Sequence, residues 1–105
     1  MKTDKFDIIC EISLKDLIGE FVEIKEYSHG KYNRKTVRGR IYDHASISAF
    51  SLLYYDENKH EMYCRGLLPA DKLRLLTEEE IVILKLQGGN YDILKTKTIT
   101  FYNQA

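Results

Sequence analysis

The feature that most restricts this chain is its punctuation. Short runs of alternating apolar and polar residues recur at near-even spacing, each ended by turn-forming residues. Period-two alternation places successive side chains on opposite faces of a strand. Residues 6–12 (FDIICEI) put Phe6, Ile8, Cys10 and Ile12 on one face. Residues 20–27 (EFVEIKEY) put Val22 and Ile24 on one face and Phe21, Glu23, Lys25 and Tyr27 on the other. Residues 36–42 (TVRGRIY) point Val37, Gly39 and Ile41 inward and Arg38, Arg40 and Tyr42 outward. Gly39 within such a run marks a bulge or a sharp bend. Residues 48–55 (SAFSLLYY) are apolar on both faces, the pattern of a central strand. After the turn Asp56-Glu57-Asn58-Lys59, residues 60–66 return with Met62 and Cys64 inward, and Leu73 and Leu75 share one face of a further short strand.

Other segments break the alternation. Ser13 to Gly19 reads as a capping box around one short helical turn at 14–18. Residues 28–35 (SHGKYNRK) read as a loop too polar to bury. Pro69 interrupts strand pairing and favours a single 3₁₀ turn. Thr77 with Glu80 forms a capping box, three acids suit a helix N-terminus, and Gly88-Gly89 stop the helix predicted over 78–87. The β-branched Ile81-Val82-Ile83 run argues for a strand there instead. Residues 91–102 (YDILKTKTITFY) read as a final strand. The expected class is mainly β: a small SH3-like barrel with a short helical turn near the N-terminus and an appended C-terminal helix and strand.

A chain of 105 residues is one domain, with its barrel over about 20–76 and a C-terminal extension over 77–105. Its 44% apolar and 30% charged residues are those of a globular protein. No apolar run reaches the ~18 residues of a membrane span, and MKTDKFD lacks a leader's apolar stretch, so a cytoplasmic location is expected. Cys10 and Cys64 sit in apolar runs and read as two buried thiols rather than a disulfide.

Over residues 20–76, the paired strands 20–27 and 36–42, the hairpin through Asp56-Glu57-Asn58-Lys59, and Leu68-Pro69-Ala70-Asp71-Lys72-Leu73 together resemble an SH3-like small barrel. Peptide-binding SH3 domains grip proline-rich ligands with tryptophan. This chain has no tryptophan, so that recognition does not carry over. Leu14 to Gly19, Val37-Arg38-Gly39-Arg40-Ile41 and Arg65-Gly66 also resemble Sm-like RNA-binding barrels. The asparagine that such a motif places after its second-strand aspartate is missing from His44-Ala45-Ser46-Ile47-Ser48, which follows Asp43. Ring-type RNA binding is therefore not implied.

Few residues suggest catalysis. There is neither a phosphate-cradling glycine loop nor a GxSxG elbow. Asp43-His44 with Ser46 is the nearest constellation to a triad, but neighbours on a strand point to opposite faces. His60 and Cys64 share a strand face, and two ligands do not make a zinc site. Glu78-Glu79-Glu80 suits a helix N-terminus. No metal or cofactor is implied.

Charge is the informative property. The net charge is zero, yet residues 25–40 carry Lys25, Lys31, Arg34, Lys35, Arg38 and Arg40 against Glu26 alone. Residues 1–24 carry six acids against three lysines. Lys31, Tyr32, Arg34, Lys35, Arg38, Arg40 and Tyr42 form the candidate binding segment. Arginine forks bind phosphate and tyrosine stacks on bases. Alternation spaces Arg38, Arg40 and Tyr42 at about 7 Å along one outward row. The plainer alternative is a solvated strand face paired with Glu23 and nearby acids. The leading expectation is a non-catalytic module that binds a protein, as an adaptor, assembly subunit or phage-type inhibitor. The second is a nucleic-acid-binding barrel using the basic segment, and the third a nucleotide-binding sponge.

Overall fold

A computed structural model of the chain describes residues 5–44 and 49–92. Its strands are β1 (Asp7–Ile8), β2 (Phe21–Ser28), β3 (Lys31–His44), β4 (Ala49–Asp56), β5 (Glu61–Gly66) and β6 (Lys72–Leu75), with 3₁₀ turns at Ile9–Glu11 and Leu14–Leu17 and helix α1 at Glu78–Leu86. The strands form one antiparallel sheet in the order β1-β6-β2-β3-β4-β5. The expected mainly β class is what the chain adopts. The expected barrel closure is not seen: β1 and β5 are the sheet's edges among the described residues. The Leu67–Asp71 connection lies between β5 and β6, and its turn is closed by Asp71 N–H donating to the Leu68 carbonyl at 3.1 Å. Pro69 has no N–H to offer a neighbouring strand there.

Alternation gives this single sheet two cores. Val22, Ile24, Ile41, Leu52 and Leu73 face one side and bury with Ile9. Tyr42, Leu53 and Cys64 face the other and bury with Leu76, Leu84 of α1 and Tyr91. Adjacent Leu52 and Leu53 thus serve opposite cores, which is why residues 48–55 show no polar face. β4 lies between β3 and β5, as a two-sided apolar strand must.

β3 is the hinge of the architecture. Residues 31–40 pair with β2 and residues 40–44 pair with β4, with Arg40 opposite both Phe21 and Leu53. Gly39 stands at this corner, where an added Cβ would lie 2.1 Å from the Leu53 carbonyl oxygen. The bend expected from that glycine is therefore a place where no side chain fits.

Four local expectations need correction. The strand read over 6–12 stops at Ile8: Ile9 N–H still donates to the Asp71 carbonyl, but Cys10 N–H donates to the Pro69 carbonyl and Ile12 N–H to the Ile9 carbonyl, closing a 3₁₀ turn. That turn leaves Cys10 exposed, so only Cys64 is a buried thiol; both are free. Ser13 precedes a 3₁₀ turn without capping it through its side chain. Residues 28–35 are not a loop: Ser28 pairs with Lys31 across a two-residue turn. His29 (φ 53°) and Gly30 (φ 81°) both take left-handed backbone there, the requirement of a type I′ hairpin. The capping box at Thr77 and Glu80 is present and α1 follows it. Of the strand expected over 91–102, only Tyr91 and Asp92 are among the described residues.

Gly39→Ala is expected to destabilise the chain by about 3 kcal/mol or more, because backbone must move to admit the methyl. Gly66→Ala, with nothing within 4 Å of its added Cβ, should stay within about 1 kcal/mol. Thermal melting followed by circular dichroism distinguishes the two.

Candidate functional site

The residues of the basic segment divide into two environments. Arg38, Arg40 and Tyr42 do share a face, but α1 packs on that face. Arg38 donates through Nε to Glu23 Oε2 at 3.3 Å and through Nη2 to Glu80 Oε2 at 3.1 Å. Arg74 of β6 donates to Glu23 Oε1 at 2.7 Å and grips both oxygens of Glu80, at 3.0 and 2.6 Å. The Thr36 hydroxyl donates to Glu23 Oε2. Glu80 Oε1 also accepts the Thr77 N–H at 2.9 Å. Two carboxylates and two guanidiniums therefore neutralise one another between the sheet and α1.

Arg40 is equally occupied. Its Nε donates to the Gly19 carbonyl at 2.8 Å and its Nη1 to the Tyr91 carbonyl at 3.1 Å, while its guanidinium lies 5.2 Å from the Phe21 ring centre. Tyr42 is buried beside Cys64 and Ser51, and burial pushes its hydroxyl pKa well up. These three side chains hold structure together rather than face solvent.

The remaining cations behave differently. Lys31, Arg34 and Lys35 are exposed near the tip of the β2–β3 hairpin. The hairpin is irregular there: one residue of β2, Glu26, stands against Asn33, Arg34 and Lys35 of β3. Such a bulge re-aims side chains and twists the ribbon. Lys25 of β2 lies directly opposite Lys72 of β6. The Lys25 ammonium sits 4.5 Å from the Phe6 ring and the Lys72 ammonium 4.5 Å from the Tyr32 ring. None of Lys25, Lys31, Arg34, Lys35 and Lys72 makes an ion pair among the described residues. The nearest acid in sequence, Glu26, is taken by Arg65 at 3.3 Å, and Arg65 also holds Asp71 at 3.2 Å.

Aromatic rings are set among these cations. Tyr27 and Tyr32 meet edge-on with ring centres 4.9 Å apart. The Tyr32 hydroxyl donates to the Ala70 carbonyl at 2.8 Å. Sequence reading found Lys31, Tyr32, Arg34 and Lys35 but missed Lys25, Lys72, Tyr27 and Phe6. The alternation of β2 does place Lys25 and Tyr27 on one face. Lys72 joins them only through the pairing of β6 with β2, which nothing in its local sequence announces.

Other candidates are weaker. An open cleft of about 450 Å³ lies between β3, Tyr55, Glu57, Leu84 and Gln87, and it is bordered by Glu23 and Arg38, whose charges already satisfy each other. His60 occupies the β4–β5 turn with left-handed backbone (φ 55°), and Cys64 is buried on β5, so the two do not share a strand face. Burial raises the Cys64 thiol pKa, which disfavours the nucleophilic thiolate. Asp43 is exposed on β3, Ser46 lies outside the described residues, and so does the side chain of His44. Among the described residues no group of three or more His, Cys, Asp or Glu is placed to hold a metal, and no helix is long and apolar enough to cross a membrane. The outward side of α1 exposes Val82, Ile83 and Leu86.

No protein-family model, curated protein or solved structure matches the chain.

The carboxylates beneath α1 make stability depend on pH. Burial pushes Glu23 up, but the Thr36 hydroxyl and the Arg74 and Arg38 guanidiniums outweigh it and hold the carboxyl below its ordinary value. Arg74 and the Thr77 N–H hold Glu80 at about 2, against an ordinary 4.5. A depressed folded-state pKa contributes stability that is present above the unfolded value and lost as pH falls through the folded one. Urea titrations should therefore show this contribution intact at pH 7 and lost between pH about 4.5 and about 2. Glu80→Gln retains a capping side chain but leaves the arginines short of charge. It should lower stability at neutral pH by about 1–2 kcal/mol and flatten the acid limb.

Proposed function

We propose that this chain is a non-catalytic binding module for phosphate-rich polyanions, with the end of the β2–β3 hairpin and the adjoining part of β6 as its ligand surface. The observation that carries this reading is the Lys25–Lys72 pair. Like charges directly opposite one another on neighbouring strands destabilise a sheet. Elsewhere in this fold, guanidiniums and carboxylates are matched closely. Here two lysines stand opposite each other, each with its ammonium over an aromatic ring and neither in an ion pair among the described residues, and three further cations without ion pairs lie on the adjoining hairpin. An arrangement that weakens the fold slightly and concentrates positive potential suits an anionic ligand. The zero net charge is compatible with this, since attraction at short range depends on the local field within a Debye length of about 8–10 Å.

The functional residues are then Lys25, Lys31, Arg34, Lys35 and Lys72. Arg38 and Arg40 belong to the scaffold. A second reading, contact with another protein, draws on the apolar Val82, Ile83 and Leu86 on the outer side of α1. Exposed apolar groups that cluster rather than scatter mark contact surfaces.

Inorganic polyphosphate titrated into the protein at about 50 mM and about 200 mM salt should bind at the lower salt and weaken sharply at the higher one. Lys25→Thr with Lys72→Thr should weaken binding and make its salt dependence shallower, while the melting temperature holds or rises. Lys59→Ser, in the β4–β5 turn, should change neither. Absence of binding at both salts rejects the polyanion reading. For the protein reading, Val82→Glu with Leu86→Glu should abolish retention of a defined partner from native extract without altering polyphosphate binding; retention unchanged would reject it.

A further inference from the structure

We infer that Tyr27 is a base-stacking platform, and that the polyanion taken by the hairpin end is single-stranded nucleic acid. This rests on the polyanion reading above and narrows it.

Tyr27 is a large aromatic residue left 39% exposed beside the unpaired cations, and its position is fixed from below. Its backbone N–H donates to Asp71 Oδ1 at 3.0 Å. Asp71 is fully buried and is itself held through Oδ2 by the Leu68 N–H and by Arg65, each at 3.2 Å. A buried carboxylate thus anchors the backbone from which the exposed ring projects. The ring is braced as well. It meets Tyr32 edge-on, and Tyr32 is in turn held by the Ala70 carbonyl at its hydroxyl and by the Lys72 ammonium against its ring. A side chain whose torsions are already restrained loses little entropy when a ligand arrives.

The surroundings supply the rest of the chemistry. Lys25 lies two residues before Tyr27 on the same strand, about 7 Å away along it. Lys72, opposite Lys25 on β6, sets its ammonium over the Tyr32 ring that meets Tyr27, whereas Lys31, opposite Ser28, belongs to the other face of the ribbon. A ring with Lys25 and Lys72 beside it on one face matches a ligand that alternates flat faces with phosphates. Every base has a π face, so the contact tolerates any sequence. A duplex keeps those faces stacked on one another, and plain polyphosphate has none. Neither would use the ring.

The test compares three probes: a labelled mixed-sequence DNA single strand of about 12 nucleotides, the same strand annealed to its complement, and inorganic polyphosphate. Wild-type protein should prefer the single strand to the duplex. Tyr27→Leu should weaken single-strand binding by about 5-fold to about 100-fold, the range for loss of one stacked base, with polyphosphate affinity and salt dependence unchanged. Tyr27→Phe should restore binding, and melting curves confirm that both variants fold. The chain has no tryptophan, so tyrosine emission is directly visible; a single strand should quench it in wild type and less in Tyr27→Leu. Equal single-strand binding by wild type and Tyr27→Leu overturns the platform while leaving the polyanion reading in place. Duplex binding as tight as single-strand binding also overturns it, and assigns the hairpin to a groove. Failure of all three probes to bind wild type overturns both readings.

Discussion

The cluster of Arg74, Arg38, Glu23 and Glu80 is the interaction on which the rest of the structure depends. It joins β2, β3 and β6 to α1. The helix otherwise offers little adhesion: Leu84 is its only buried residue, and much of its apolar surface faces outward. Taking charges out of water is expensive, and an ion pair repays this only when its remaining hydrogen-bonding capacity is filled. Here both oxygens of Glu23 accept hydrogen bonds, Arg74 grips Glu80 with two nitrogens, and Glu80 caps its own helix. The arrangement is directional in a way that apolar burial is not. It sets where α1 lies, and so which strand residues the helix covers.

That placement decides which cations are left for a ligand. Arg38 and Arg40 of β3, Arg65 of β5 and Arg74 of β6 are drawn inward, where a planar fork can satisfy a carboxylate or several carbonyls at once. Arg65 does for Asp71 and Glu26 what Arg74 does for Glu23 and Glu80. The lysines remain outside, together with Arg34. A flexible, strongly hydrated ammonium makes a poor internal tie but a good partner for a phosphate held in water. Structural and available positive charge are therefore separated by residue chemistry and by position on the sheet, though the two kinds interleave along the sequence.

Asp71 links the scaffold to the proposed platform. It stands in the connector that follows β5, and it fixes the Leu68 turn, Arg65 and the backbone of Tyr27 together. Its main-chain carbonyl also receives the Ile9 N–H, at the point where β1 gives way to a 3₁₀ turn. One buried carboxylate so accounts for a tyrosine presented at a defined place.

Local pattern determined much of this protein by itself. Alternation located β2, β4, β5 and β6, because the two-residue period of a strand is a property of the backbone. Thr77 and Glu80 marked the start of α1 through a cap that needs only four consecutive residues. Gly39 announced the corner of β3, because the absence of a side chain is visible in one letter. Only the end of the β2–β3 hairpin was hidden: its polar residues carry no burial signal, and the bulge at Asn33-Arg34-Lys35 breaks the register that would reveal a strand. Only the tertiary structure decided that Arg38 and Arg40 are internal ties while Lys25 and Lys72 meet unpaired. Alternation says which face a side chain takes, but not what will lie against that face. For Arg38 the answer is a helix forty residues later in the chain, and for Lys25 it is a neighbouring strand brought in by the same long-range pairing.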